Sequence, residues 1–472
     1  MLFNSIPFLL FAILFFAFWP FLKRKNNSRW LFLTSMSFIF YGWWDWRFLF
    51  LIIGSGLLDY VCGWYMTKAP QLKKLLLLLS LLGNIGSLSV FKYSVFYADM
   101  IESFLLLFNV TLSLKDNIPA FALILPVGIS FYTFQSMSYT IDVYKGKIQP
   151  VKNIFHLFSY LAMFPQLVAG PIVRARDFLT QLSKIPDSTT IQKWHAIKLI
   201  VFGLFQKMVV ADNIGFMVDS AFQNKSVFDG SFFWFCVVLG FAFQIYCDFS
   251  GYSLIARGIA KYMGYHFKMN FNHPYHATSI RDFWSRWHIS LSTWFKDYVY
   301  IALGGSRKGF LWGIIFMFIT MCVSGLWHGA NYTFIIWGAL HALFLALERV
   351  TRWPQKVEKI RYGKIIGMTL VFLQVLVAWT YFRADDIEQA HLIIKKILSF
   401  NMSFDFFNFY FNSIVFLLLG ITIEFSIYQR KKHLKLQRLY TKNNIDVLMT
   451  SIALVMCLFL RGPEAAFIYF QF

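Results

Sequence analysis

The stretch "FLWGIIFMFITMCVSGLWHGANYTFIIWGALHALFLALER", residues 310–349, decides the fold. It holds two apolar runs separated by the short break Ser324–Asn331. A helix needs about 20 apolar residues to cross a hydrocarbon core of about 30 Å, and each run approaches that length. Neither run alternates apolar with polar residues, so neither is a strand of a membrane barrel. Both read as membrane helices, and the break between them holds one histidine, His328, between Trp327 and Gly329.

The same pattern extends outward over the whole chain. Of 472 residues, 58% are hydrophobic, 57 are Phe and only 14% are charged. Soluble domains carry roughly 25% charged residues, so this is a polytopic all-α membrane protein. About eleven crossings are expected, counted as runs long enough to span. No linker divides residues 1–472, so a single integral-membrane domain is expected. Leu2–Leu22 lacks a basic leader and a small-residue cleavage site, and is read as a retained span. Several central runs are short, among them Met100–Val110, Phe121–Phe134 and Ile154–Phe164. Pro126, Gly128, Pro165 and Pro171 break helices there. Unpaired backbone cannot face lipid, so these pieces are expected to be re-entrant and to line a cavity.

The net charge of +21 does not point to nucleic acid. The basic residues sit in short clusters between apolar runs: Lys23–Arg29, Lys68–Lys74, Arg349–Lys364 and Arg430–Lys442. That is the positive-inside pattern of cytoplasmic loops, which also favours anionic lipid headgroups. Read from either end, it puts both termini outside the membrane. The five cysteines are scattered without metal-ligand spacing, so neither a disulfide framework nor a metal site is expected.

Residues 281–298, "RDFWSRWHISLSTWFKDY", are too polar to span. Read as one helix, they put Phe283, Trp284, Trp287, Leu291, Trp294 and Phe295 on one face. This predicts an amphipathic helix at the cytoplasmic interface, with its aromatic face in the membrane and His288 within it.

Ionisable groups in apolar runs cost roughly 2.5–3.5 kcal/mol each and are functional candidates by default. Asp59, Lys207 and Asp212 near span ends can snorkel or pair. Asp248, in "YCDFSGYS", can bond helix ends at a kink or bind substrate. His341 can bond a carbonyl one turn away. His328 reads either as a satisfied structural histidine or as a base, since neutral imidazole is cheap to bury and still takes a proton. Gly325 and Gly329 let a substrate or another backbone come close. Trp327 supplies a flat wall and Asn331 a donor, which completes the parts of a general-base site. No phosphate-binding loop and no nucleophile elbow is present.

Six segments carry a resemblance: "FPQLVAGPIVR" (164–174), "QIYCDFSGYS" (244–253), residues 270–305, residues 324–349, "YFRA" (381–384) and the terminal "FIYFQF". In order and content the chain resembles the membrane-bound O-acyltransferase family, and within it the bacterial branch of alginate and peptidoglycan O-acetyltransferases. The resemblance implies a helical ring around a central tunnel in the bacterial inner membrane, with no tightly bound cofactor. It implies transfer of an acetyl group from acetyl-CoA, on the cytoplasmic side, to an envelope or exported polysaccharide, with an extracytoplasmic esterase-like partner. By motif, the family's two site histidines fall on His328, as the base, and His288, on the donor approach. Leu254, Ala302 and Tyr332 depart from the pattern, and none is either histidine. D-alanyl transfer from a carrier protein to teichoic acid, and a transporter, are the alternatives. Inverted repeats would favour a transporter, and the sequence shows none.

Overall fold

The structure, a computed structural model, describes residues 1–167, 170–223, 226–432 and 443–468. Among the described residues every regular element is helical. Much of the Arg430–Lys442 cluster, Val168 and Ala169 of "FPQLVAGPIVR" and the last four residues of "FIYFQF" lie outside them. Among the described residues, eight stretches are long and apolar enough to cross a membrane, and two shorter apolar helices, Ile6–Leu22 and Asn444–Phe459, accompany them.

The chain forms two compact units, residues 1–196 with 256–268, and residues 197–255 with 269–472. The first holds α1 (Ile6–Leu22), α2 (Asn26–Asp45), α3 (Leu49–Lys68), α4 (Lys73–Leu88), α5 (Ser94–Leu106), α6 (Ile129–Tyr144), α7 (Ile154–Leu161), α8 (Phe164–Leu167) and α9 (Ala175–Leu182). Two expectations change here. Met100–Val110 is not a separate element, because a π-turn over Ser89–Tyr93 joins α4 to α5 in one stretch, Pro70–Leu106. The run Phe121–Phe134 is not one helix either. Gly128, at φ 73°, turns the chain, and α6 starts only at Ile129. Asp59 does not snorkel. It is fully buried on α3 and accepts hydrogen bonds from Ser80 Oγ (2.5 Å), Asn84 Nδ2 (3.2 Å) and Ser136 Oγ, which tie α4 and α6 to α3.

α10 (Thr190–Leu204) leads from the first unit into the second, through a π-turn over Phe205–Ala211 to α11 (Asp212–Phe222). α12 (Ser231–Met263) is the longest helix and is 78% buried over its most apolar window, against 17% for Pro70–Leu106. α12 is therefore a helix wrapped by protein, whereas the stretch of α4 and α5 is mostly left uncovered by the rest of the chain. The second unit continues with α13 (Ile280–Arg286), α14 (Ile289–Phe295), α15 (Phe310–His328), α16 (Tyr332–Thr351), α17 (Trp353–Glu358), α18 (Gly363–Arg383), α19 (Ile387–Leu398), α20 (Phe406–Phe409), α21 (Phe411–Lys432) and α22 (Asn443–Phe459).

α15 and α16 are the two runs of the opening stretch, folded into a hairpin. Glycine sets how closely they pack. A Cβ on Gly325 would sit 2.0 Å from the Phe334 carbonyl oxygen, and one on Gly338 would sit 2.3 Å from that of Met321. Without side chains there, the two backbones touch, which is how membrane helices gain contact when lipid supplies no hydrophobic drive. Of the two uses expected for Gly325, close approach of another backbone is the one the structure shows.

Candidate active site

The helix expected over 281–298 breaks at His288. Ser279 caps α13, accepting the Asp282 N–H at 3.0 Å, and α13 closes with the Trp287 N–H on the Phe283 carbonyl. His288 then takes a left-handed conformation, φ 40° and ψ 54°, which no residue inside a helix can hold. The first N–H groups of the next helix are satisfied from elsewhere. Ile289 N–H donates to the Asn270 carbonyl (2.9 Å), Ser290 N–H to Asn270 Oδ1 (3.1 Å), and Leu291 N–H to His288 Nδ1 (3.3 Å). Those N–H groups would be orphaned at a new helix start. Asn270 and His288 together serve as the cap that makes the break affordable.

The aromatic face is turned into the protein and not to lipid. Phe283, Trp287, Leu291, Trp294 and Phe295 are all buried within the protein, and Phe283 and Trp287 join the apolar core of the second unit. α13 is held to α16 by Glu348, whose carboxylate accepts the Ile280 N–H at 2.7 Å and the Arg281 N–H at 3.4 Å.

His328 is the last residue of α15 and is 4% exposed. Three rings stand edge-on to it: Trp327 at 4.9 Å, Trp337 of α16 at 5.0 Å and Phe382 of α18 at 5.1 Å. Trp327 also meets His288, at 6.2 Å, so both histidines neighbour one indole. Phe249 of α12 stands edge-on to His288 at 4.6 Å. Burial among these rings pulls the His288 pKa down to about 3, because the imidazolium would lose its hydration. His288 is therefore neutral at working pH. Because Nδ1 accepts the Leu291 N–H, the proton is assigned to Nε2.

Of the five site residues expected from sequence, the structure brings three together: His328, Trp327 and His288. The polar atoms of the other two are engaged elsewhere. Asn331 caps α16, accepting the Thr333 N–H at 3.1 Å and donating to the Asp385 carbonyl at 2.8 Å. Asp248 pairs with Lys207 at 2.8 Å, and its second oxygen accepts the Ile468 N–H at 2.7 Å. Lys207 also reaches Asp212 at 2.8 Å, so the pairing alternative holds for Lys207 and Asp212. Sequence reasoning missed Trp337, Phe382 and the capping role of Asn270. The "YFRA" segment was a signal for Phe382, and Trp337 lies nine residues beyond His328 with no pattern to mark it.

The Lys207 cluster yields a stability prediction. Lys207→Met leaves two buried carboxylates without their cation, and breaking a buried pair costs about 3–5 kcal/mol. Asp248→Asn leaves Lys207 its Asp212 partner and removes one charged hydrogen bond, about 1.5–3 kcal/mol. The lysine variant should therefore unfold at the lower temperature in detergent. The reverse order would mean that the Ile468 contact, and not charge balance, dominates.

A family model for membrane-bound O-acyltransferases matches residues 148–384, which include both histidines. The chain belongs to that family. It is 36% identical over 409 residues to a probable alginate O-acetylase of Pseudomonas putida, covering 85% of this chain and 81% of the relative. It is 32% identical over 435 residues to a peptidoglycan O-acetyltransferase of Helicobacter pylori, covering 85% and 80%. A teichoic acid D-alanyltransferase of Bacillus subtilis matches at 27% over 269 residues, 54% of this chain and 67% of the relative. The protein is thus a multi-pass membrane O-acyltransferase, which removes the transporter alternative. Among the described residues no group of three or more His, Cys, Asp and Glu is placed to hold a metal ion.

Proposed function

We propose that this O-acyltransferase carries an acetyl group from acetyl-CoA, on the cytoplasmic face of a bacterial inner membrane, toward an envelope or exported polysaccharide, peptidoglycan or alginate. The observation that carries the reading is His328 at the end of α15, boxed by Trp327, Trp337 and Phe382 and one indole away from His288. In this reading His328 accepts the proton of the acceptor hydroxyl as its oxygen attacks the thioester carbonyl. The carbon–sulfur bond breaks, and His328 returns the proton to the leaving thiolate. General-base catalysis of this kind contributes about 10²–10⁴-fold, and alignment of two held reactants contributes further. His288 orients the donor through its Nε2 N–H. Trp327 is the wall between the two reactants. Asn331 and Asp248 serve the acceptor side by fixing α16 and the segment at Ile468, and an extracytoplasmic esterase-like partner completes delivery to the polymer.

Acetyl is favoured over D-alanyl because the two O-acetylating relatives match over 85% of this chain, against 54% for the D-alanylating one. The deciding experiment is chemical. Mild alkali releases ester-linked groups from the polymers of cells with and without the protein. Acetate lost from one polymer fraction supports the reading and names the acceptor; loss of D-alanine instead replaces it.

Orientation has its own test. The basic loops imply that a reporter fused after Lys74 is cytoplasmic and that one fused after Phe472 is external. A reversed signal at either position overturns the orientation and moves the donor side with it.

A further inference from the structure

His341, on α16, is fully buried, and neither of its ring nitrogens has a hydrogen-bond partner. A neutral imidazole always carries one N–H and one lone pair, and native proteins rarely leave both dry. Its neighbours share the defect. The His341 ring is parallel to Phe283 at 6.0 Å and edge-on to Trp284 at 5.0 Å and Trp337 at 4.9 Å. The indole nitrogens of Trp284 and Trp337 are likewise buried without a partner. Four unsatisfied nitrogens thus lie on three adjoining rings, and Trp337 also touches His328. On α16, His341 follows Trp337 by one turn, about 6 Å along the axis. The dry nitrogens therefore run from His328 toward the basic Arg349 end of the helix.

We propose that His341, Trp284 and Trp337 bind the amide groups of a pantetheine arm, the part of the acyl donor that trails behind the thioester; this rests on the reading of His328 as the transfer site. A secondary amide presents one carbonyl acceptor and one N–H donor. His341 supplies one donor and one acceptor, and each indole supplies a donor. A plain alkyl chain would leave all four nitrogens dry. A phosphate calls for fixed positive charge, which the indoles do not have. The pantetheine arm carries two amides in line behind the sulfur, so it reaches past His328 along the row of rings. Free coenzyme A and a carrier protein both bear this arm.

The test is binding to the full-length protein in detergent. Two probes carry the arm with the sulfur replaced by methylene: an acetyl-CoA analogue, and the same arm loaded on an acyl carrier protein. A third, an aliphatic methyl ketone of similar length, lacks amides. Wild type should bind at least one arm-bearing probe well, and the tighter of the two names the source. His341→Phe keeps the ring packing and should weaken that binding about tenfold. His341→Gln restores a donor and an acceptor and should recover most of it. The ketone should bind weakly and equally to all. Trp284→Phe removes one indole N–H at a half-buried position and gives the same test should His341→Phe not fold. Unchanged arm binding in a folded His341→Phe or Trp284→Phe protein overturns the proposal, as does an equal loss for the ketone, which would mark a packing role. Wild type that binds neither arm-bearing probe overturns the thioester-donor reading along with it.

Discussion

Replacing His328 should reduce ester-linked acetate on the acceptor polymer to background while the protein still accumulates in the membrane. The expected loss is about 10²–10⁴-fold or more, the contribution of a positioned general base. Alanine alone would be ambiguous. His328 fills a box made by Trp327, Trp337 and Phe382, and emptying a packed site of that size can itself cost about 2–5 kcal/mol. His328→Gln is therefore the sharper variant, because it keeps volume and polarity but cannot take a proton near neutral pH. We expect both variants to be inactive and the glutamine variant to be as stable as wild type. Acetate released by mild alkali, beside the amount of folded protein, decides it. A glutamine variant that acetylates at the wild-type level would make His328 a structural residue and remove the mechanism proposed for it.

The parts of this protein that follow from local rules were legible in its sequence. The apolar runs of 310–323 and 334–347 became α15 and α16, since run length against hydrocarbon thickness is a local quantity. His328 was visible because polarity interrupts those runs. The pairing of Lys207 with Asp212 was legible for a similar reason: five residues apart around a π-turn, they have few other ways to avoid a bare buried charge. What escaped depends on partners distant in the chain. The break at His288 is decided by Asn270, eighteen positions earlier, whose carbonyl and side chain take N–H groups that a continuous helix would have used internally. Helical periodicity cannot register that competitor. The aromatic face of α13 and α14 was misassigned for a different reason. Lipid and protein core are equally apolar solvents for Phe and Trp, so the residues themselves do not say which of the two will cover them. His341 was expected to bond a carbonyl, the usual fate of a polar side chain in a helix, and only its actual surroundings show that it does not.

His288 has two duties that an alanine substitution cannot separate. It caps α14 through Nδ1 and holds a left-handed backbone, and in the proposed mechanism its other edge orients the donor. His288→Ala removes both, with a capping loss of about 1 kcal/mol. His288→Asn is the discriminating variant, because asparagine is a good cap and tolerates positive φ. We expect the asparagine variant to fold as stably as wild type yet to bind the acetyl-CoA analogue weakly and transfer little. His328→Gln should instead bind that analogue nearly normally and transfer nothing. The pH dependence gives an independent readout of the same residue. The His288 pKa in the folded protein is about 3, against an ordinary value near 6.5, so between these limits the unfolded chain binds the extra proton. Stability must then fall as pH drops from about 6.5 toward 3 and be fully present above 6.5. The apparent melting temperature in detergent, followed from pH 7.5 downward, should decline more steeply for wild type than for His288→Asn, which has no proton to take up. Equal slopes would mean that His288 is not held neutral by burial. Full transfer by His288→Asn would mean that capping α14 is all that His288 does, and that the donor is oriented by other groups.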